Sequence, residues 1–282
     1  MLVHGFTQTG RSWESVAAAM SARHEVIAVD LPGHGRSSAV HASVDAGVVR
    51  LASTGRHATY VGYSLGGRHC LRLGLSFPDL VERLVLISTS PGIEDASERA
   101  ARRETDAALA ESLDPVSRRR AATDPPGNVA EPPDDRARLR SFLRSWLAQP
   151  MFSNLDHALA QFENRLAENT CAGLASSLRL AGAGVTEPVW DRLGELRMPV
   201  LAIAGERDHK YARIAARMVD EIGPNARLAL IDGAGHAPHL ERPETVTALV
   251  LEFVERTAKA IPRPRHAPTA GAPSRAPRSA RR

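Results

Sequence analysis

Lysine is nearly absent from this chain, with two residues against 34 arginines in a total of 282. Cysteine is equally scarce. Cys70 and Cys171 are the only two, and they form no CxxC spacing, which leaves a disulfide framework or a zinc knuckle without support. Both are read as buried free thiols, and no metal site is expected. No apolar run reaches the ~20 residues a membrane span requires, and no charged, apolar and small-residue series at the start reads as a signal peptide. The expected address is therefore cytoplasmic, with no membrane partner.

What is present suits a globular body. At 43% hydrophobic content the chain can bury a sizeable core, as one domain with an insertion or as two small ones. A pI near 9.6 would point to nucleic acid if the charge were spread along the chain. It is not. Residues 261–282, "IPRPRHAPTAGAPSRAPRSARR", hold six arginines and no acid, more than the whole net charge of +4, so the rest is mildly acidic. Such a Pro, Ala, Ser and Arg segment cannot bury enough apolar surface to offset its ordering entropy. A disordered basic tail is expected there, and no nucleic-acid partner.

Along the body, short β-branched runs alternate with helical patterns. Strands are expected in "HEVIAVD" from His24, "ATYVGYS" from Ala58, "RLVLIST" from Arg83, "PVLAIAGE" from Pro199 and "ARLALID" from Ala226, with "MLV" as the stub of another. Interleaved strands and helices imply a doubly wound α/β fold, a mostly parallel sheet covered on both faces. The alternation stops between about Pro91 and Arg192, where only helical patterns and the Pro-rich break "TDPPGNVAEPPDD" occur. The expected organisation is a core of residues 1–90 and 191–260, with a helical cap inserted at 91–190, above the strand ends where open α/β sheets bind ligands.

Gly62-Tyr63-Ser64-Leu65-Gly66 reads G-x-S-x-G, after a strand pattern and before a helix pattern, the context in which such a turn raises a serine hydroxyl as a nucleophile. A serine needs a base, and the base an orienting carboxylate. Asp208 follows the strand in "AIAGERD" and His236 follows the next strand in "LIDGAGH", in the order nucleophile, acid, base. Glu206 and Asp232 remain rival acids, and His239 a rival base. In "HGF" the Phe6 N–H can join the Leu65 N–H as a two-donor oxyanion hole. His34, in "DLPGHGRS", reads as a structural turn, and His41, His57, His69, His157 and His209 carry no expected role.

These segments resemble the α/β-hydrolase superfamily over essentially residues 1–260. Within it the chain is similar to the 2-succinyl-6-hydroxy-2,4-cyclohexadiene-1-carboxylate synthases, pyruvate-eliminating lyases of menaquinone biosynthesis. The likeness rests on "LVHGFTQTGRSW", "DLPGHGRSS", "VGYSLGGR", "SPGIEDASERAARR", "WLAQPMFSNL", "SLRLAGAG", "IAGERDHKY" and "GAGHAPHLERP". Many superfamily esterases share "HGF", "DLPGHG" and "GYSLGG", whereas the arginine after the glycines, "AAR" and "QPMF" are the specific part. The resemblance implies a small polycarboxylate substrate bound by Tyr63, Arg68, Arg102, Trp146 and Arg165, and Arg68 lies one helical turn past Ser64. It also implies that the triad acts as a base that removes a ring proton so that pyruvate is expelled, with no cofactor. A carboxylesterase or C–C bond hydrolase on the same triad is the alternative. A monomer or weak homo-oligomer is expected. The family has a pair of strands ahead of "HGF", and here they are expected to be missing.

Overall fold

The computed structural model describes residues 1–114, 135–155 and 160–258. The expected tail, His157 and nearly all of the Pro-rich break lie outside them. Six strands form one sheet: β1 (Leu2–Val3), β2 (Ala28–Val29), β3 (Ala58–Tyr63), β4 (Val81–Ile87), β5 (Val200–Gly205) and β6 (Ala226–Ile231), in the order β2-β1-β3-β4-β5-β6. Every pairing is parallel. The described residues hold no strand ahead of β1.

The period-two alternation of β4 shows how the sheet is buried. Leu84 and Leu86 face α2 (Val44–Gly55), α3 (Leu65–Ser76) and α8 (His209–Ile222), sharing a cluster with Val48, Leu73 and Met218. Val85 and Ile87 face the other way, with Trp13, Val16 of α1 (Glu14–Ser21) and Val250 of α10 (Pro243–Ala258). All four β4 side chains are at most 1% exposed, so each contributes about 1.5–3 kcal/mol of apolar transfer. A strand buried on both faces reads as a continuous apolar run, which is why "RLVLIS" is legible in the sequence.

Two elements differ from their sequence pattern. "HEVIAVD" yields only a two-residue strand, because β2 is an edge whose single neighbour, β1, offers Leu2 and Val3 alone as partners for Ala28 and Val29. Helix α2 is weakly announced by its valines, glycines, serine and threonine. Ser43 nonetheless caps it, its hydroxyl accepting from the Ala46 N–H at 3.2 Å, and Val44, Val48 and Leu51 bury one stripe.

Between β4 and β5 the described residues contain no strand. They form α4 (Ala96–Leu113), α5 (Asp135–Leu147), α6 (Phe162–Glu168) and α7 (Cys171–Ala181). These helices share a cluster of their own, including Leu113, Leu143, Leu166 and Leu174, with Phe6 of the core packed against it. The short α9 (Pro238–Glu241) precedes α10. Among the described residues no helix is long and apolar enough to cross a membrane, and no group of three His, Cys, Asp or Glu is placed to hold a metal.

Candidate active site

Parallel strands end on the same side of a sheet, so residues that follow β1, β3, β5 and β6 converge although they are far apart in sequence. Phe6, Ser64, Asp208 and His236 occupy these four positions.

Ser64 joins β3 to α3 with φ 49° and ψ −109°, a conformation costly for a non-glycine residue. Its neighbours show why the turn is boxed by glycines. A Cβ at Gly66 would sit 2.1 Å from the Val3 carbonyl oxygen, and one at Gly62 2.6 Å from the Gly66 carbonyl oxygen. Both are backbone atoms that cannot yield. The Ser64 carbonyl is held by the Thr89 hydroxyl at 2.7 Å, and the Ser64 hydroxyl makes no capping bond to its own helix. It is left available to the cavity.

His236 is 1% exposed, and its Nδ1 lies 2.6 Å from Asp208 Oδ2. The other Asp208 oxygen, Oδ1, accepts from the Tyr211 N–H at 3.2 Å, where Asp208 caps α8. Both carboxylate oxygens are thereby committed, and the imidazole is oriented with Nε2 away from the acid. Glu206 accepts from the Gly233 N–H at 3.2 Å, so it is Asp208 that meets the ring. His239 is buried against the rings of Tyr63 and Trp13, at 4.2 and 4.6 Å between centroids, with neither nitrogen hydrogen-bonded. Burial drives its pKa far down, and among the described residues no carboxylate orients it. Among the described residues no hydrogen bond joins Ser64 Oγ to His236; the two meet as walls of one cavity. Such links are often loose before substrate binds.

That cavity, of about 190 Å³, lies between the strand ends and the cap. Phe6 and Leu65 line it, and neither backbone N–H donates to a protein acceptor among the described residues. Unengaged N–H groups beside the serine are what a two-donor oxyanion hole requires.

The arginines are arranged unequally. Arg68 lines the cavity; its Nη1 donates to the Ala181 carbonyl at 2.9 Å and to Thr186 Oγ1 at 3.2 Å, with no carboxylate partner among the described residues. Burial lowers its pKa to about 10, which leaves it charged at neutral pH. Arg102 also lines the cavity, but its Nε donates to Asp106 Oδ1 at 2.8 Å. Arg165 is 3% exposed and is not part of the cavity wall: it donates to the Ala160 carbonyl at 2.6 Å and to the Thr7 hydroxyl. Trp146 lines the cavity with its indole N–H unpartnered among the described residues, and its ring lies 4.9 Å from that of Phe6. Tyr63 lines it too, its ring 5.5 Å from His236, and burial raises its hydroxyl pKa.

Three contributors escape a motif reading. Asp106 carries no motif signal beyond its i+4 spacing from Arg102. Tyr211 places its ring 4.5 Å from His236. Glu241 accepts from the Gly235 N–H at 2.6 Å and the Ala237 N–H at 3.0 Å, so it grips the residues on either side of His236. Its position inside "GAGHAPHLERP" was the available signal.

The chain is similar to known proteins over most of its length. The chain is 29% identical to 2-succinyl-6-hydroxy-2,4-cyclohexadiene-1-carboxylate synthase of Klebsiella pneumoniae subsp. pneumoniae, over 90% of this chain and 92% of that one. It is 26% identical to the pimeloyl-[acyl-carrier protein] methyl ester esterase of Vibrio cholerae, over 91% and 94%. The solved structure of MenH from S. aureus superposes with a TM-score of 0.78 at 28% identity, covering 91% of this chain and 93% of its own. Residues 1–249 match the Alpha/beta hydrolase family, and with the parallel sheet and the serine turn in place the chain belongs to that family.

Proposed function

We propose that this protein is a carbon–oxygen lyase that eliminates pyruvate from the succinyl-enolpyruvyl-hydroxycyclohexene carboxylate precursor of menaquinone, with Ser64, His236 and Asp208 acting together as the base. The observation that carries the reading is Arg68, a charged guanidinium on the cavity wall one turn beyond Ser64 that has no carboxylate partner among the described residues. A cation kept unpaired in a partly buried site asks for an anionic ligand. The Klebsiella synthase to which the chain is similar is named for making a carboxylate, 2-succinyl-6-hydroxy-2,4-cyclohexadiene-1-carboxylate.

In this reading His236, held by Asp208, takes the proton of Ser64 Oγ as the hydroxyl removes a proton from the substrate ring. The electron pair left behind forms the new ring double bond, and the carbon–oxygen bond to the enolpyruvyl group breaks. The departing enolate takes up a proton and becomes pyruvate. The Phe6 and Leu65 N–H groups stabilise negative charge on a substrate oxygen during this step, and positioned general-base catalysis of this kind supplies about 10² to 10⁴-fold. No acyl-enzyme is required.

A serine esterase is the second reading, favoured by the neutralisation of Arg102 by Asp106, which leaves the cavity less cationic than two free arginines would. The separating experiment offers the precursor and, in parallel, nitrophenyl acetate. Release of pyruvate supports the lyase. Efficient ester cleavage with no pyruvate from the precursor would overturn it in favour of the esterase.

A further inference from the structure

Thr7 follows the proposed oxyanion donor Phe6 directly, and every polar group it owns is held. Its N–H donates to His34 Nε2 at 3.3 Å, its carbonyl accepts from Asn169 Nδ2 at 2.9 Å, and its hydroxyl accepts from Arg165 Nη1. The residue is 0% exposed and sits at φ 66°, a region that a β-branched side chain enters only when its surroundings force it.

Two of the three partners come from the cap. Arg165 and Asn169 are four residues apart at the end of α6, and Glu168 between them accepts from Thr9 Oγ1 at 2.5 Å and pairs with Arg11 at 3.0 Å. Spacings of three and four place these side chains on one helix face, and that face is laid along residues 7–11 of the core. The Phe6 ring is fixed from the same side, by Trp146 of α5 at 4.9 Å and Phe142 at 6.3 Å. From the core side, the His34 ring meets Phe6 edge-on at 5.6 Å.

A tether alone would not need a cation. Arg165 is buried without a carboxylate partner among the described residues, its pKa lowered to about 10 by desolvation, and a buried charge of this kind is a costly way to hold a loop. Its charge lies behind the segment whose N–H would meet a developing anion.

We propose that Thr7 is the joint through which the cap holds the oxyanion donor of Phe6 in place, with Arg165, Asn169 and His34 as positioning residues. The proposal rests on the reading of the Phe6 and Leu65 N–H groups as an oxyanion hole beside a nucleophilic Ser64. It makes cap docking and assembly of the hole one event. A donor displaced by a fraction of an ångström loses much of its value, since preorganisation is what an oxyanion hole contributes.

The test is the rate at which Ser64 is labelled by an alkyl fluorophosphonate, a reagent that needs the nucleophile and the hole but no natural substrate. Thr7→Val keeps the side-chain shape and deletes the acceptor of Arg165; labelling is expected to slow by about tenfold or more, while Thr7→Ser, which restores the hydroxyl, stays within about threefold of wild type. The pH midpoint of labelling is expected to be the same in all three, because His236 and Asp208 are untouched. Asn169→Ala releases the Thr7 carbonyl instead and is expected to slow labelling similarly, which keeps the test alive should Thr7→Val not fold. Folded Thr7→Val and Asn169→Ala proteins labelled at the wild-type rate would overturn the joint. So would slowing that Thr7→Ser fails to rescue and that comes with a shifted pH midpoint, the mark of general distortion. A wild-type protein whose Ser64 resists the reagent would remove the nucleophile and hole beneath the proposal, an outcome distinct from the other two.

Discussion

Arg102 Nε donates to Asp106 Oδ1 at 2.8 Å, so one of the two guanidiniums on the cavity wall is already neutralised, whereas Arg68 keeps its full charge toward the cavity. The Asp106 side chain is 2% exposed and its Oδ2 also receives the Gly184 N–H at 3.4 Å, which anchors Arg102 by its inner nitrogen. The two arginines are therefore not equivalent.

Their substitution should show it. Arg68→Ala is expected to cost about 3 kcal/mol with an anionic substrate, at the low end for an unpaired buried carboxylate because the site is partly open, or roughly two orders of magnitude in kcat/KM. Cleavage of nitrophenyl acetate should change little, and Arg68→Lys should recover only part of the loss because an ammonium lacks the planar fork. Arg102→Ala should cost less than Arg68→Ala. The ratio of the two activities, before and after each change, is the measurement; equal ratios throughout would contradict the assignment.

Asp106→Ala leaves Arg102 Nε and the Gly184 N–H without their acceptor. Because Arg102 is 39% exposed, water takes up part of the deficit, and the expected loss of stability is on the order of 1–3 kcal/mol. Asp106→Asn, which keeps an acceptor oxygen, should lose less. Urea unfolding midpoints of the two variants against wild type decide the matter.

Ser64→Ala is expected to lower turnover by at least about a thousandfold while thermal unfolding stays near wild type, because the hydroxyl caps nothing and its removal leaves the turn packed. Asp208→Asn and His236→Ala should be comparably damaging, and the double variants no worse than the worse single one, since the three act as a unit. Additive losses would speak against a working triad.

Stability should depend on pH through the buried histidines. Burial lowers His4 to about 4, His34 to about 3 and His69 to about 4, and drives His239 well below its ordinary value. Each is neutral when folded but takes a proton near pH 6.5 when unfolded, so below that pH the unfolded chain binds more protons. The stability these groups contribute is fully present above about pH 6.5 and is lost as pH falls toward 4, at about 1.4 kcal/mol per unit for each group at most. Unfolding midpoints should be flat from pH 7 to 8 and fall steeply between 6 and 4.5. A flat profile through pH 5 would show that these rings are solvated.

Much of the candidate site was legible because its signals are local. Gly62 and Gly66 announce a turn that admits no side chain, and the sterics that demand them act within a few residues. The order Ser64, Asp208, His236 follows from the ends of β3, β5 and β6 in a parallel sheet, and β3, β4 and β5 declare themselves as apolar runs since both of their faces are buried. The Arg68 position follows from one turn of helix. For the same reason the α/β class, the two-sided helical cover and the helical run between β4 and β5 could be read without coordinates.

Tertiary structure alone decided which groups meet. That Asp208 and not Glu206 reaches the His236 ring, that Asp106 neutralises Arg102, that Glu241 grips the His236 loop and that Arg165 lies behind Thr7 and not in the cavity wall all depend on ångström-scale distances between separately folded segments. Thr7 and Arg165 are 158 residues apart. A sequence pattern encodes backbone conformation and the face a side chain occupies, because these are set by neighbours three or four positions away. Hydrogen-bond partners across the fold are set by the packing of helices on a sheet, and no local periodicity carries that information.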